Sequence, residues 1–236
     1  MSGAALLRSL ILAAVSLLFE SCWHGTTREV SSSILFVDGQ PALDHGSRGK
    51  RLPLTAASLP SRGDTIETPG TSRVGLSLLP NLLVLVDRGP RMEIVRLTLT
   101  KDGNETGPDM RGRFAEVKLS RGRMFVSHSQ GDSSARFSLT TAEGELTTSS
   151  NALFIIHSEQ QKTRVTCASG WVEFRPSGAT IAVQVPPGSV GQWPAPASNL
   201  SKAEADPVAQ EDLQQAIEIE QELRALAMQR RNVLPR

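Results

Sequence analysis

Gly63 to Val86 reads GDTIETPGTSRVGLSLLPNLLVLV, a polar turn feeding two short apolar runs broken at Pro80-Asn81. Val74, Leu76 and Leu78 alternate with Gly75 and Ser77, the period of two that sends alternate side chains to one face of a strand. Leu82 to Val86 is apolar at every position, as suits a strand covered on both faces in the middle of a double-layered structure. The format recurs between Ile34 and Val185, in Val95 to Leu99, Val117 and Leu119, Met124 to Val126, Phe137 and Leu139, Leu153 to Ile156, Thr163 to Cys167, Val172 and Phe174, and Ile181 to Val185. Turns are expected between the runs at Ser120-Arg121-Gly122-Arg123, Gly131 to Ser134, Glu143-Gly144, Glu159-Gln160 and Ser169-Gly170. Such short runs suit strands rather than globular helices, so the spacing predicts an all-β domain, rolled or two-layered as a sandwich or solenoid-like body.

The rest of the chain divides around that domain. Residues 1–21 read as a signal peptide: Arg8 and the free amine precede an uncharged apolar run, Leu10 to Phe19, too short for a membrane-spanning helix. Leu18-Phe19-Glu20-Ser21-Cys22 resembles a bacterial lipoprotein signal, which makes Cys22 the expected lipidated residue; simple cleavage nearby is the other reading. Residues 22–33 then form a polar tether, and 34–191 the β domain. Gln40 to Leu54, rich in Gly, Pro and basic residues, is expected to be a loop with at most one edge strand, and Lys101 to Gly112 an exposed insert. With Cys22 lipidated, Cys167 is the remaining thiol, and its place in Thr163 to Cys167 gives it the character of a small buried apolar residue.

Composition changes at Pro186. Residues 192–205 read as a linker, and 206–232 as a helix of ~39 Å, capped by Asp206 with Pro207 at the first helical position. Ala209, Ala216, Ile219, Leu223 and Leu226 form a narrow apolar stripe interrupted by Asp212. Ala216, Ile219, Leu223 and Leu226 are candidates for a partner-binding face; packing on the chain's own β domain is the alternative.

Charge and composition exclude several classes. A formal net charge of +1 over 236 residues gives no electrostatic case for nucleic acid, and 4% aromatic residues with no Tyr argue against an extended stacking surface for bases or sugars. His24, His45, His128 and His157 lie apart from one another and from Cys or carboxylates at metal-ligand spacing, so neither metal nor other cofactor is expected. Ser72 lacks a nucleophile elbow and an assignable base, which leaves a hydrolase as a remote alternative. Arg111, Arg113, Arg121 and Arg123 cluster beside the insert, either as a contact for an anionic partner or as charges that protect a sheet edge.

The order of turns and runs resembles the FecR domain, an extracytoplasmic module of iron-uptake regulators and other envelope proteins. The resemblance rests on Gly63 to Thr68, Ser72 to Leu78, Leu119 to Gly122, Phe137 to Thr141 with Gly144, and Thr163 to Cys167 followed by Gly170 to Phe174, and it covers about residues 34–192. Pro80-Asn81 stands where the family has Asp-Gly, Ser150-Asn151 where it has Gly-Thr, and Leu153 where it has Phe. The family's cytoplasmic anti-sigma region and spanning helix are not recognised here, so its full regulatory circuit does not carry over. The resemblance implies an exported, envelope-anchored, non-catalytic module that contacts another envelope protein or assists signalling. Binding to envelope polysaccharide or another anionic surface is the alternative, and the oligomeric state stays open.

Overall fold

The computed structural model describes residues 26–46, 50–101, 112–131, 134–194 and 200–233. Sixteen strands form one continuous sheet: β1 (Thr26–Glu29), β2 (Ser33–Asp38), β3 (Ala42–His45), β4 (Lys50–Pro53), β5 (Asp64–Glu67), β6 (Arg73–Leu79), β7 (Leu82–Lys101), β8 (Gly112–His128), β9 (Ser134–Thr140), β10 (Gly144–Thr148), β11 (Ala152–Glu159), β12 (Lys162–Gly170), β13 (Val172–Pro176), β14 (Val183–Val185), β15 (Ser189–Trp193) and β16 (Leu200–Lys202). A 3-10 turn, Ala203–Ala205, leads into one long helix, α1 (Pro207–Val233). The chain is thus all-β with a C-terminal helix.

The architecture turns on β7 and β8, two long antiparallel strands that each serve two layers. The first half of β7 pairs with β6 and the last half of β8 with β11; beyond the bend, β7 pairs with β5 and β1, and β8 runs parallel to β9. One layer continues outward through β6 to β2 and through β11 to β12, β15 and β16; the other continues through β5 to β3 and β4, and through β9 to β10, β13 and β14. The layers face each other across a common core. Phe137 of β9 lies 6.3 Å from Phe154 of β11, and Phe174 of β13 stacks on Trp193 of β15 at 4.0 Å.

The bend explains why this segment does not turn. Ser120 to Arg123, expected as a turn, runs through the middle of β8. Asp87 faces Arg123 and Arg91 faces Arg121, so three residues of β7, 88–90, lie against Gly122 alone. A second irregularity leaves Ser120 of β8 between the Arg91–Arg121 and Met92–Leu119 pairs, and the side-chain alternation of β8 shifts there: Ala115, Val117 and Leu119 enter the core before it, Met124 and Val126 after it.

Alternation within β6 and across Leu82 to Val86 is as read from sequence. Val74, Leu76, Leu82, Val84 and Val86 enter the interlayer core, while Leu83 and Leu85 join a second cluster on the outer face. Asn81 adopts φ 65° in the β6–β7 turn, a left-handed conformation that Asn tolerates. The Gln40 to Leu54 segment differs from expectation, because β3 and β4 form a hairpin whose other side pairs with β5. Within the segment expected to be a tether, Thr26–Glu29 forms β1 and pairs with Thr98 to Lys101. The linker is partly built into the sheet: Trp193 is buried in β15, and β16 pairs with β15. The segment expected to be a signal peptide, Cys22 and most of the expected insert lie outside the described residues.

Candidate functional site

Register lines up four ionisable residues on the outer face of the first layer. Asp87, Arg123, His157 and Arg164 are direct neighbours across β7, β8, β11 and β12. The next row, Leu85, Phe125, Ile155 and Thr166, is largely apolar. Helix α1 lies over both.

Its entry is fixed at Asp206, whose Oδ1 accepts the N–H groups of Val208 at 3.0 Å and Ala209 at 3.2 Å and pairs with Arg164 Nη2 at 2.5 Å. The Arg164 hydrogen bond, helped by those two amides, holds the Asp206 carboxyl below its ordinary pKa against the opposing effect of desolvation. One and a half turns on, Asp212 reaches into the polar row. Its carboxylate lies 3.2 Å from Arg123 Nη2 and 2.9 Å from His157 Nε2, and accepts the Thr166 hydroxyl at 3.0 Å. Gln215 Oε1 accepts from the same Arg123 nitrogen at 2.6 Å, and Asp87 stands 3.5 Å from the other. Asp212 and Arg123 are each only 3% exposed. Beyond them Ala216, Ile219 and Leu223 pack on Leu83, Leu85, Phe125, Leu153 and Ile155.

Two sequence expectations are therefore corrected. Ala216, Ile219 and Leu223 cannot form a free partner-binding face, because the chain's own sheet covers them; Leu226 is half-buried. The arginine cluster is likewise dispersed. Arg123 is clamped under α1, and Arg113 is buried with Nη1 donating to Pro80 O at 2.7 Å and Nη2 donating to Gln130 O, its pKa lowered by burial. The terminal nitrogens of Arg113 are taken by backbone carbonyls and those of Arg123 by carboxylates and the Gln215 amide, so neither faces an outside anion. Arg121 is exposed opposite Arg91, and Arg111 lies outside the described residues.

The other residues singled out by sequence also have separate structural roles. Ser72 is buried, and its hydroxyl accepts from Gln40 N at 3.1 Å. Cys167 is a buried free thiol, its pKa pushed up to about 12 by desolvation. His45 meets Asp64 at 2.7 Å, its direct cross-strand partner between β3 and β5, away from the strands that carry the clamp's row. His128 is buried and donates through Nδ1 to Ser150 O at 2.6 Å; burial, reinforced by Arg113 and opposed by that hydrogen bond, lowers its pKa. The unfolded chain takes up this proton near pH ~6.5 while the folded chain resists it, so stability is full above that pH and declines as pH falls toward the folded value. The urea midpoint of the parent should drop more between about pH 7.5 and 5 than that of His128→Asn, whose amide preserves the hydrogen bond without titrating.

Several concavities adjoin these elements among the described residues. One, about 730 Å³, lies between α1 and the Gly70-Thr71 and Gly89 turns, with Arg73, Asp87 and Arg123 on its wall. Its cations are already matched, Arg73 by Glu222 at 3.6 Å and Arg123 by the clamp. A second, about 220 Å³ and largely apolar, runs beside β2 and is lined by Val30, Leu35, Leu78, Leu79, Leu99 and Ala227, among others. A third, about 350 Å³, lies on the outer face of the second layer among Arg136, Thr147, Trp171, Glu173 and Gln184.

No protein-family model and no curated protein matches the chain. Two crystal structures of a candidate anti-sigma factor from Parabacteroides distasonis ATCC 8503 are similar to it, at 16% and 15% identity and with a TM-score of 0.40 each. Each similarity covers 58% of this chain and 58% of the solved chain, so the chain spans a little over half the length of the structures it matches.

Proposed function

We propose that the protein is an exported, non-catalytic binding module of the bacterial envelope, anchored through a lipid on Cys22, that receives an extended segment of another envelope protein along β2. The observation that carries the reading is the combination of a one-sided strand with a groove. Among the described residues β2 pairs with β6 alone, so its other edge offers backbone donors and acceptors to an added strand. The apolar concavity alongside, into which Leu35 projects, would take an alternate side chain of that segment. Backbone pairing supplies affinity and the groove supplies selectivity. The helix acts in this scheme as a brace: α1 packs on β2 through the cluster containing Leu35 and Phe36, and Ala227 and Arg230 form one wall of the groove.

A photo-reactive residue in place of Leu35, in intact envelopes, should yield one discrete cross-linked protein. The same residue in place of the exposed Glu204 should not. An added Ser33→Pro change should reduce the adduct by impairing the strand edge. Equal adducts at both positions, or none at Leu35, would remove the basis for this reading.

A further inference from the structure

We propose that the outward face of β9, β10, β13 and β14 carries a glycan subsite, in which one pyranose ring stacks on Trp171 and its hydroxyls bond to Arg136, Thr147, Glu173 and Gln184. Thr147, Glu173 and Gln184 are direct cross-strand neighbours on β10, β13 and β14, so the register sets hydroxyl, carboxylate and amide in a single row. Trp171 stands beside that row, two residues before Glu173 and immediately before β13, and Arg136 of β9 lines the same concavity. Its volume, about 350 Å³, is at the lower end for small-ligand sites and is of the size for one or two sugar units.

The side chains are free to serve a ligand. Among the described residues none of Arg136, Thr147, Glu173 and Gln184 has a side-chain hydrogen bond or ion pair, unlike the arginines of the helix clamp. Trp171 keeps 49% of its surface exposed, an expensive use of a large ring that no core contact explains. A pyranose presents a flat face of C–H groups and a rim of hydroxyls that both donate and accept. A half-open indole suits the first, while a carboxylate, an amide and a guanidinium suit the second. The low aromatic content excludes a long stacking surface, but one ring is enough for one sugar unit.

The platform is also held still before any ligand arrives. Thr148 Oγ1, buried, donates to Trp171 O at 3.0 Å, and Val172 and Phe174 anchor the strand in the core. Gly170, at φ 74°, packs so closely on Asn151 that a Cβ there would lie 1.8 Å from its carbonyl oxygen, which fixes where the chain enters β13. Little ordering remains to oppose binding.

The test uses the full chain with tri-N-acetylchitotriose, cellotriose and maltotriose, followed by titration calorimetry and tryptophan fluorescence. At least one sugar should bind with a Kd below about 5 mM and shift the fluorescence. Trp171→Ala should weaken binding at least about tenfold and Glu173→Ala or Gln184→Ala about threefold or more, while the thermal midpoint stays within a few degrees because these side chains are exposed. Trp171→Phe should retain part of the affinity. Absence of binding by all three sugars at about 20 mM, or binding unchanged by Trp171→Ala, overturns the proposal. Capture of a protein by this face that Trp171→Ala abolishes, without sugar binding, overturns it as well.

Discussion

Asp212→Ala should cost the folded chain about 3–5 kcal/mol, far more than a surface substitution on a helix. The carboxylate it removes is the group on which Arg123, His157 and Thr166 converge, and Arg123 is 3% exposed. Without it, a buried guanidinium keeps only the 3.5 Å contact with Asp87 and the amide of Gln215 in a region that water enters poorly. Removing both charges is a different experiment. Asp212→Leu with Arg123→Met removes both members of the central pair together, so neither is left facing an absent counter-charge, and the double variant should return to within about 2 kcal/mol of the parent. Guanidinium midpoints of the parent, both single variants and the double variant provide the comparison. An Asp212→Ala loss of under about 1 kcal/mol would mean that α1 does not sit on the sheet as described.

The clamp was half legible in the sequence. An acidic residue in the middle of an apolar helical stripe demands a buried partner, and Leu82 to Val86, apolar on both faces, demands a cover on its outer side. Each demand answers the other, yet the two segments are over a hundred residues apart, and periodicity carries no information about which faces meet. His157 could not be assigned for the same reason: its relation to Arg123 is set by the β8–β11 register, which depends on where the bulge falls. The strands of the core were readable because alternation is local. The long strands were not, since a bulge inverts that alternation and a Gly between two Arg looks like a turn. Similarly, Trp193 and Pro194 look like linker residues, and only the Phe174 contact from the other layer explains the burial of Trp193.

The burial of the clamp also changes what the basic cluster means. With Arg113 and Arg123 engaged inside the fold, the exposed cations near the bend include, among the described residues, Arg91 and Arg121, directly opposite each other. Arg91 is accompanied by Glu67 at 3.6 Å, and Glu67 is shared with Arg51 at 3.1 Å. Like charges in register repel, and the shared carboxylate offsets part of that cost. An anionic surface would thus meet a small, partly neutralised patch, whereas β2 and the Trp171 face keep their binding groups unspent.

Gly122→Ala should be among the most damaging single methyls in the β domain, with a loss of about 3 kcal/mol or more. Gly122 holds φ 97°, and a Cβ there would sit 2.4 Å from Cα of Pro90 and 2.6 Å from its nitrogen. Those are backbone atoms of the neighbouring strand and cannot rotate away. Relief would require β7 and β8 to separate at the bend where both strands pass from one layer to the other, so the strain spreads to the pairing on either side. Gly188→Ala separates this from the conformational cost alone: its φ is 71°, and nothing lies within 4 Å of the added Cβ. That variant should lose only about 1–2 kcal/mol. If the two variants unfold at the same guanidinium concentration, the bend tolerates a side chain, and the close approach of Gly122 to Pro90 is not what fixes the crossing between layers.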